Sequence, residues 1–271
     1  MANIAKLLAA AESLWPTSGA EEWDRPGLIV GSPDSPVSKV LLSVDVTSEL
    51  IDDAIAGGFD LVISHHPYLL RGVTSLAEDS LKGSVLSKAI RANVAIYATH
   101  TNADITRTGV SATLANAFGL KDIEPLVATG AGIGHGRVGN LVRPLTLVDF
   151  SRLVAKALPA TAAGLKVAGN PDSLVTRVAL CGGAGDSFIS DALSSGADVY
   201  VTSDLRHHPT QDARESASAT GSDLALIDIS HWAAESLWLD VASKELENAV
   251  SGVKFEVSDL RTDPWDFAVT Q

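Results

Sequence analysis

The sequence is poor in several features, and each scarcity excludes a class of structure. It has one cysteine, Cys181, in 271 residues. No disulfide can therefore form within the chain, which is typical of proteins in a reducing cytoplasm, where we expect this one. The sequence also lacks the run of about 18 apolar residues that a membrane-spanning helix requires. Its first residues, MANIAKLLAAAESLWP, lack the basic segment of a signal peptide and predict an amphipathic helix.

Basic residues are also scarce: Lys and Arg number 20 against 33 Asp and Glu, which gives a net charge of −13. A nucleic-acid-binding surface needs clustered Lys and Arg to neutralise phosphates, so we expect no nucleic-acid partner. A phosphorylated substrate would need local help from metal ions or from a few arginines. The arginines closest to the sequence motifs described below are Arg71, Arg107, Arg137 and Arg206.

Short β-rich runs alternate with helical segments along the whole chain, a pattern that predicts an α/β fold with a mainly parallel sheet. Residues 40–44, VLLSV, form the continuous apolar run of a strand buried on both faces. Thr47 or Ser48 can cap the helix that follows, and the pair Gly57 and Gly58 can end it. With 46% hydrophobic residues, the chain can bury a sizeable core.

An internal repeat underlies this pattern. Residues 40–66 align with residues 178–204 at a constant offset of 138, with seven of 27 positions identical. Residues 95–104 align with residues 226–235 at an offset of 131, which places His100 on His231 and Asp104 on Glu235. Because the two pairs of segments occur in the same order, we interpret them as an internal duplication.

The duplication predicts two similar α/β halves joined by a connecting segment. The first half spans residues 1–120, and the second spans residues 175–271. The connecting segment, residues 121–174, contains a glycine-rich loop with the sequence GRVG.

Histidines follow three of the predicted strands. His65 and His66 end the strand DLVIS, His100 follows VAIYAT, and His231 follows LALIDIS. Open α/β sheets bind ligands at the carboxyl ends of their strands. Asp104 and Glu235 each lie four residues after a histidine, and His231 and Glu235 would share a face of a helix.

These side chains are candidate metal ligands. Imidazoles and carboxylates without thiolates suit Zn²⁺, Fe²⁺, Mn²⁺, Ni²⁺ or Co²⁺. Even without His100, three histidines and two carboxylates exceed one tetrahedral catalytic site but suit two divalent metal ions per chain. The alternative for each histidine is a polar surface group or a hydrogen-bonded core group, and His100 could orient a neighbouring ligand instead. His135, His207 and His208 lie in or near predicted loops, where the surface interpretation is favoured.

Seven motifs in this order resemble the GTP cyclohydrolase 1 type 2 homologues, also described as the NGG-interacting-factor-like family. They are WDRPGLIVG (23–31), SHHP (64–67), HTNAD (100–104), GRVG (136–139), CGGAGDSFI (181–189), TSDLRHH (202–208) and SHWAAE (230–235). The resemblance implies two similar, intertwined, three-layer α/β/α domains, a dinuclear metal centre and a homohexamer.

Position by position, the resemblance places the metal ligands on His65, His66, Asp104, His231 and Glu235, while His100 matches a position not usually counted as a ligand. The chain departs from the family pattern at Arg25, Ser203 and Ser230, none of which is a ligand. The length of the segment between the halves corresponds to the short form of the family.

The function that follows is a metal-dependent hydrolase of the cyclohydrolase or amidohydrolase type, acting on a small heterocyclic or nucleotide-like substrate. Two metals can activate a water molecule for such a reaction, and His100 could move the proton. The alternative is a non-enzymatic ring protein that handles metal ions or regulates a partner. The substrate, the metal used and the protein partners stay open at this stage.

Overall fold

The structure, a computed structural model, describes residues 2–220 and 223–269. It has the α/β fold that the sequence predicts, divided into two compact units that each contain two segments of the chain. The first unit extends to Ala103 and also includes Leu239–Thr262. The second unit contains Asp104–Trp238 and the described residues from Asp263 onwards.

The helices begin and end near the positions that the sequence indicates. Thr47 caps the second helix by accepting a hydrogen bond from the N–H of Leu50 at 3.1 Å, and Gly57 ends that helix. The α-helices are α1 (Ile4–Leu14), α2 (Ser48–Ala56), α3 (Leu81–Arg91), α4 (Thr101–Asp104), α5 (Val110–Ala117), α6 (Leu147–Ala157), α7 (Ile189–Ser194), α8 (His207–Thr220) and α9 (His231–Ala249). None of the described helices is both long enough and apolar enough to cross a membrane.

The strands form one sheet in each unit and a separate two-stranded ladder. They are β1 (Gly27–Val30), β2 (Lys39–Ser43), β3 (Leu61–Ser64), β4 (Ala95–Ala98), β5 (Lys121–Glu124), β6 (Val127–Gly130), β7 (Ile133–His135), β8 (Arg137–Thr146), β9 (Lys166–Ala168), β10 (Leu174–Ala184), β11 (Val199–Ser203), β12 (Ala225–Ile229) and β13 (Lys254–Val257).

The sheet of the first unit has the strand order β1-β4-β3-β2-β13. Its last four strands are parallel, and β1 pairs antiparallel with β4 at one edge. Every residue of β3 is buried, which explains its continuous apolar sequence. Leu50, Ile51, Val62 and Ile96 belong to the core beside this sheet. Because β2, β3 and β4 are parallel, the residues that follow them meet at one edge of the sheet.

The sheet of the second unit has the strand order β5-β8-β10-β11-β12-β9. Its strands β10, β11 and β12 are parallel, whereas β5, β8 and β9 pair antiparallel with their neighbours. The units therefore do not follow the sequence order 1–120, 121–174 and 175–271. The physical reason is strand pairing: β13 joins β2 in the first sheet, and residues 121–174 supply β5, β8 and β9 to the second.

The two units contain the same hydrogen-bonded contact between neighbouring strands, which agrees with a duplication. In the first unit, the carboxylate of Asp60 accepts hydrogen bonds from the backbone N–H groups of residues 38–39 at 2.7 and 3.0 Å. In the second, Asp198 accepts from the N–H groups of residues 176–177 at 2.7 and 2.8 Å. Both carboxylates therefore hold the two residues just before the first paired residue, Val40 or Val178, beside the start of the next strand.

Strand register supports the first offset and corrects the second. Val40 pairs with Leu61, and the residues 138 positions later, Val178 and Val199, pair in the same way. In the next strand, however, Ala95 of β4 corresponds to Ala225 of β12, because each pairs with the first residue of the neighbouring strand. The offset within these strands is thus 130 rather than 131. The larger offset applies only to the histidine motifs after the strands.

The shared contact of Asp60 and Asp198 leads to a stability prediction for the two units. Replacing either Asp60 or Asp198 with Ala should lower the free energy of unfolding by about 1.5–3 kcal/mol, because two backbone N–H groups, one exposed and one partly buried, lose a charged acceptor. Asp172→Ala, in an exposed turn, is the control and should change it by less than about 0.5 kcal/mol. Chemical denaturation measures all three. Equal stability of Asp198→Ala and Asp172→Ala would show that the contact of Asp198 contributes little to the free energy of unfolding.

Candidate metal centre

Three histidines gather at the carboxyl ends of β3 and β4 in the first unit. His65 and His66 follow β3 directly, and His100 lies two residues after β4. The ring centroid of His100 lies 5.2 Å from that of His65 and 5.4 Å from that of His66. One ligand atom from each of the three lies within 4.8 Å of the others, so these rings could hold a metal ion together. The parallel strand ends bring them together as the sequence predicts.

An oxygen acceptor fixes the orientation of both adjacent histidines. His65 Nδ1 lies 3.1 Å from the carbonyl oxygen of Thr99, and His66 Nδ1 lies 2.7 Å from Asp45 Oδ1. Because both oxygens accept, Nδ1 carries the proton of each neutral ring and Nε2 carries the lone pair. Metal-binding histidines are usually oriented by such a contact at the other ring nitrogen.

Asp24 performs the same role for His100. Its buried carboxylate accepts hydrogen bonds from His100 Nδ1 at 2.9 Å, from the Thr101 hydroxyl at 2.5 Å and from the N–H of Arg25 at 2.7 Å. Burial alone would raise the pKa of Asp24, but the hydrogen bonds from His100 and Thr101 outweigh it and hold that pKa well below its usual range. Asp24 is therefore a permanent anion beside His100.

The second unit contains an imidazole between two carboxylates. His231 is the first residue of α9, and its Nε2 lies 2.8 Å from Oε1 of Glu235, one helical turn later. Its Nδ1 lies 2.7 Å from Asp204 Oδ2, at the end of β11. The predicted shared helix face of His231 and Glu235 is therefore present, and Asp204 is an additional contact that the sequence analysis missed.

These charges favour a cation at this position. Burial lowers the pKa of His231, but Glu235 and Asp204 more than compensate and raise it to about 11. Without metal, a proton thus provides positive charge between two carboxylates, one of which, Glu235, is buried. Carboxylate and imidazole donors of this kind suit a divalent ion of the zinc or iron type. The donor chemistry therefore fits a metal site.

Asp104, the remaining predicted ligand, ends the short helix α4 and belongs to the second unit. Its charge helps to raise the pKa of the buried Cys181 thiol to about 12, although burial is the main cause. Cys181 is therefore a neutral thiol at ordinary pH, in agreement with a metal site that uses no thiolate.

Arg137 has a different role from the one that the sequence analysis considered. It is neither a surface charge nor a phosphate partner, because it is buried and its guanidinium donates to the carbonyl oxygens of Gly134 at 2.7 Å, Gly136 at 2.6 Å and Thr106. Burial lowers the pKa of Arg137, and the nearby charge of Asp104 opposes that shift. Arg137 thus ties the GRVG segment to the residues that follow Asp104.

The remaining histidines lie elsewhere. His135 is the last residue of the short strand β7, and its ring stacks on Phe188 with the centroids 5.3 Å apart. His207 and His208 begin α8 and contact each other edge to face. None of the three belongs to a group of side chains that could hold a metal ion among residues 2–220 and 223–269.

A glycine lies against the carboxylate of Glu235. Gly183 has a φ of +72°, and a Cβ atom at this residue would lie 2.8 Å from Glu235 Oε1 and 3.5 Å from His231 Nε2. A side chain here would therefore displace the carboxylate. The signal in the sequence was the CGGAG motif, but its spacing alone does not reveal which glycine contacts an acidic residue.

We expect Gly183→Ala to weaken zinc binding at least tenfold, because the added methyl group would push Glu235 out of position. Gly196→Ala is the matched control: Gly196 has a φ of +71° in the same unit, and no atom lies within 4 Å of its missing Cβ. Both variants should lose about 1 kcal/mol of stability from the left-handed backbone. Calorimetric zinc titration separates the two effects. Equal zinc affinity in both variants would contradict the packing of Glu235 described above.

Known proteins resemble this chain over almost its whole length. The family model for Duf34/NIF3 (NGG1p interacting factor 3) matches residues 2–264. A Streptomyces coelicolor protein named GTP cyclohydrolase 1 type 2 homolog is 40% identical, over 98% of this chain and 94% of its own. A solved structure of a Bacillus cereus protein related to NIF3 has a TM-score of 0.91 at 25% identity, covering 98% of this chain and 99% of that one.

A Staphylococcus aureus hypothetical protein has a TM-score of 0.88 at 28% identity, with 98% of this chain and 99% of that chain covered. These matches agree with the order of the seven sequence motifs and with the α/β fold. The chain belongs to the Duf34/NIF3 family.

Proposed function

We propose that this protein is a metal-dependent hydrolase that holds two divalent metal ions through His65, His66, Asp104, His231 and Glu235. The observation that carries the proposal is the orientation of the histidines: His65, His66 and His231 each have an oxygen acceptor at Nδ1. A histidine on a protein surface does not need such an acceptor, whereas a metal ligand uses it to direct Nε2 towards the ion.

The donor set supports two ions rather than one. Five side chains exceed the three protein ligands of a single catalytic zinc, and carboxylates can bridge a pair of ions. Bound divalent ions would acidify water and polarise a carbonyl or phosphoryl oxygen of the substrate. The name of the Streptomyces coelicolor relative points to hydrolysis of a heterocyclic ring, which is the class of reaction that this chemistry suits.

His100 and Asp24 supply the proton-transfer group in this proposal. Asp24 fixes the proton of His100 on Nδ1, so Nε2 is the atom that can accept a proton from a reacting group. The buried anion beside Nδ1 also stabilises the imidazolium that would then form, as a carboxylate does in a catalytic triad. His100 is therefore assigned as the general base, and Asp24 as the residue that positions it.

The metal content of the protein tests the ligand assignment. Protein purified without chelator should contain more than one zinc, iron or manganese ion per chain by elemental analysis. Glu235→Gln should lose at least one ion, because the neutral amide cannot compensate the charge of a dication. The matched control is the double variant His207→Ala and His208→Ala, which removes the other histidine pair and should keep both ions.

Circular dichroism should show that Glu235→Gln keeps its fold. Wild-type protein that contains no metal even after incubation with Zn²⁺, Mn²⁺ or Fe²⁺ would overturn the assignment.

A second prediction concerns GTP. We expect kcat/KM for GTP below about 10⁴ M⁻¹s⁻¹, the lower end of the ordinary enzyme range, because a triphosphate adds about four negative charges to a protein of net charge −13. Among the arginines near the motifs, Arg137 donates to backbone carbonyl groups and Arg206 pairs with Asp186 at 2.5 Å. Neither guanidinium is therefore well placed to receive a triphosphate.

Steady-state kinetics on metal-loaded protein, with GTP and a panel of uncharged cyclic amides and nucleosides, gives the comparison. Faster turnover of an uncharged substrate would support the proposal. A kcat/KM for GTP above about 10⁴ M⁻¹s⁻¹ that falls sharply in Arg206→Ala would contradict it. Full metal occupancy without turnover of any compound would favour the alternative, a protein that handles metal ions or regulates a partner.

A further inference from the structure

We propose that Trp23 is the stacking surface for the substrate, and that this substrate is a neutral, planar heterocycle of the nucleobase type. The inference rests on the proposed function and names the class of molecule that would reach the histidine cluster. Trp23 is 55% exposed, yet its ring centroid lies only 5.7 Å from that of His100. A large exposed indole beside a cluster of possible metal ligands is a recognition feature that neither role assigned above uses.

The position of Trp23 follows from the topology of the first unit. Gly27, the first residue of β1, pairs with Ala98, the last residue of β4. The loop before β1 therefore lies beside the residues after β4, which include His100. Pairing of two strands thus brings an indole that is 77 residues distant in sequence next to the imidazole.

Hydrogen bonds fix this loop on both sides of the indole. On one side, the N–H of Glu21 donates to the Thr101 hydroxyl at 3.0 Å. On the other, the buried Asp24 accepts from His100, Thr101 and the N–H of Arg25. A surface held in place before the ligand arrives loses little conformational entropy on binding, so Trp23 is suited to recognition.

The ring geometry suits a flat ligand. The planes of Trp23 and His100 form an angle of 78°. A planar ring stacked parallel to the indole would therefore stand nearly perpendicular to the imidazole, and its edge atoms could approach the histidine. Stacking on an indole is favourable for any planar π system and is largely independent of the base.

The charges around Trp23 indicate a neutral ligand. Glu21, Glu22 and Asp24 lie within two residues of Trp23 in the sequence, and the guanidinium of Arg25 donates to the backbone oxygens of Glu22, at 2.9 Å, and Asp24. The only cation in this loop is thus used to hold the loop itself. Three acidic residues in this short loop make the loop itself a poor site for a phosphate group, whereas a nucleoside or free base carries no charge for the loop to repel.

Binding of guanosine to the wild type, Trp23→Ala and Trp23→Phe tests the inference by calorimetry and by quenching of indole fluorescence. Trp23→Ala should weaken binding at least about fivefold, the lower limit for the loss of one base–aromatic stack, and Trp23→Phe should restore most of it. Trp265→Ala removes another exposed indole, 64% exposed in the second unit, and should leave affinity unchanged. Uridine should bind more tightly than 5,6-dihydrouridine, whose saturated ring is not planar.

The inference is overturned if guanosine binds Trp23→Ala as tightly as the wild type, or if the wild type binds neither guanosine nor uridine. It is also overturned if Trp23→Ala changes the molecular mass in light scattering but not guanosine affinity, because the indole would then belong to a protein contact. Elemental analysis of the same samples reports separately on the proposed function. If the wild type contains metal but binds neither nucleoside, only the stacking role is contradicted. If the protein contains no metal but guanosine quenches the fluorescence of Trp23, only the metal assignment is contradicted.

Discussion

The hydrogen bond at Nδ1 of each histidine is the interaction on which the proposed centre depends. At His65, His66 and His100 it selects the tautomer that carries its lone pair on Nε2. At all four rings, including His231, whose Nε2 contacts Glu235 at 2.8 Å, it limits rotation of the ring. The acceptors differ in kind: a backbone carbonyl for His65, and carboxylates for His66, His100 and His231. A carboxylate also makes the imidazole a stronger donor to a cation. In the proposed function, the carboxylates of Asp45, Asp24 and Asp204 therefore orient three of these rings.

Duplication explains how one fold supplies two kinds of side chain. Both units have the same contact between neighbouring strands, made by Asp60 in the first unit and by Asp198 in the second. At the strand ends, where His65 and His66 occur in the first unit, the positions 138 residues later are Ser203 and Asp204. The first copy thus presents imidazoles, and the second presents an acceptor for His231. The repeated backbone persists while the residues at the strand ends have diverged.

Local patterns in the sequence predicted the strands, the caps and the strand-end histidines, because each depends on residues close together in the chain. Thr47 as a helix cap and the shared face of His231 and Glu235 are confirmed for that reason. Contacts between distant residues were not predictable from local patterns. The hydrogen bond between Asp24 and His100 joins residues 76 positions apart. The burial of Arg137, and hence its carbonyl partners, depends on how distant segments pack. Assembly as a homohexamer stays a prediction from the family resemblance.

The most direct measurement is an anomalous difference map from crystals of protein loaded with zinc. We expect two peaks per chain, bonded at about 2.0–2.2 Å to nitrogen and oxygen atoms of His65, His66, Asp104, His231 and Glu235. Nδ1 of each histidine should keep its oxygen acceptor, so that the bonds to zinc form through Nε2. No peak at these side chains, or peaks only at surface histidines such as His207 and His208, would contradict it.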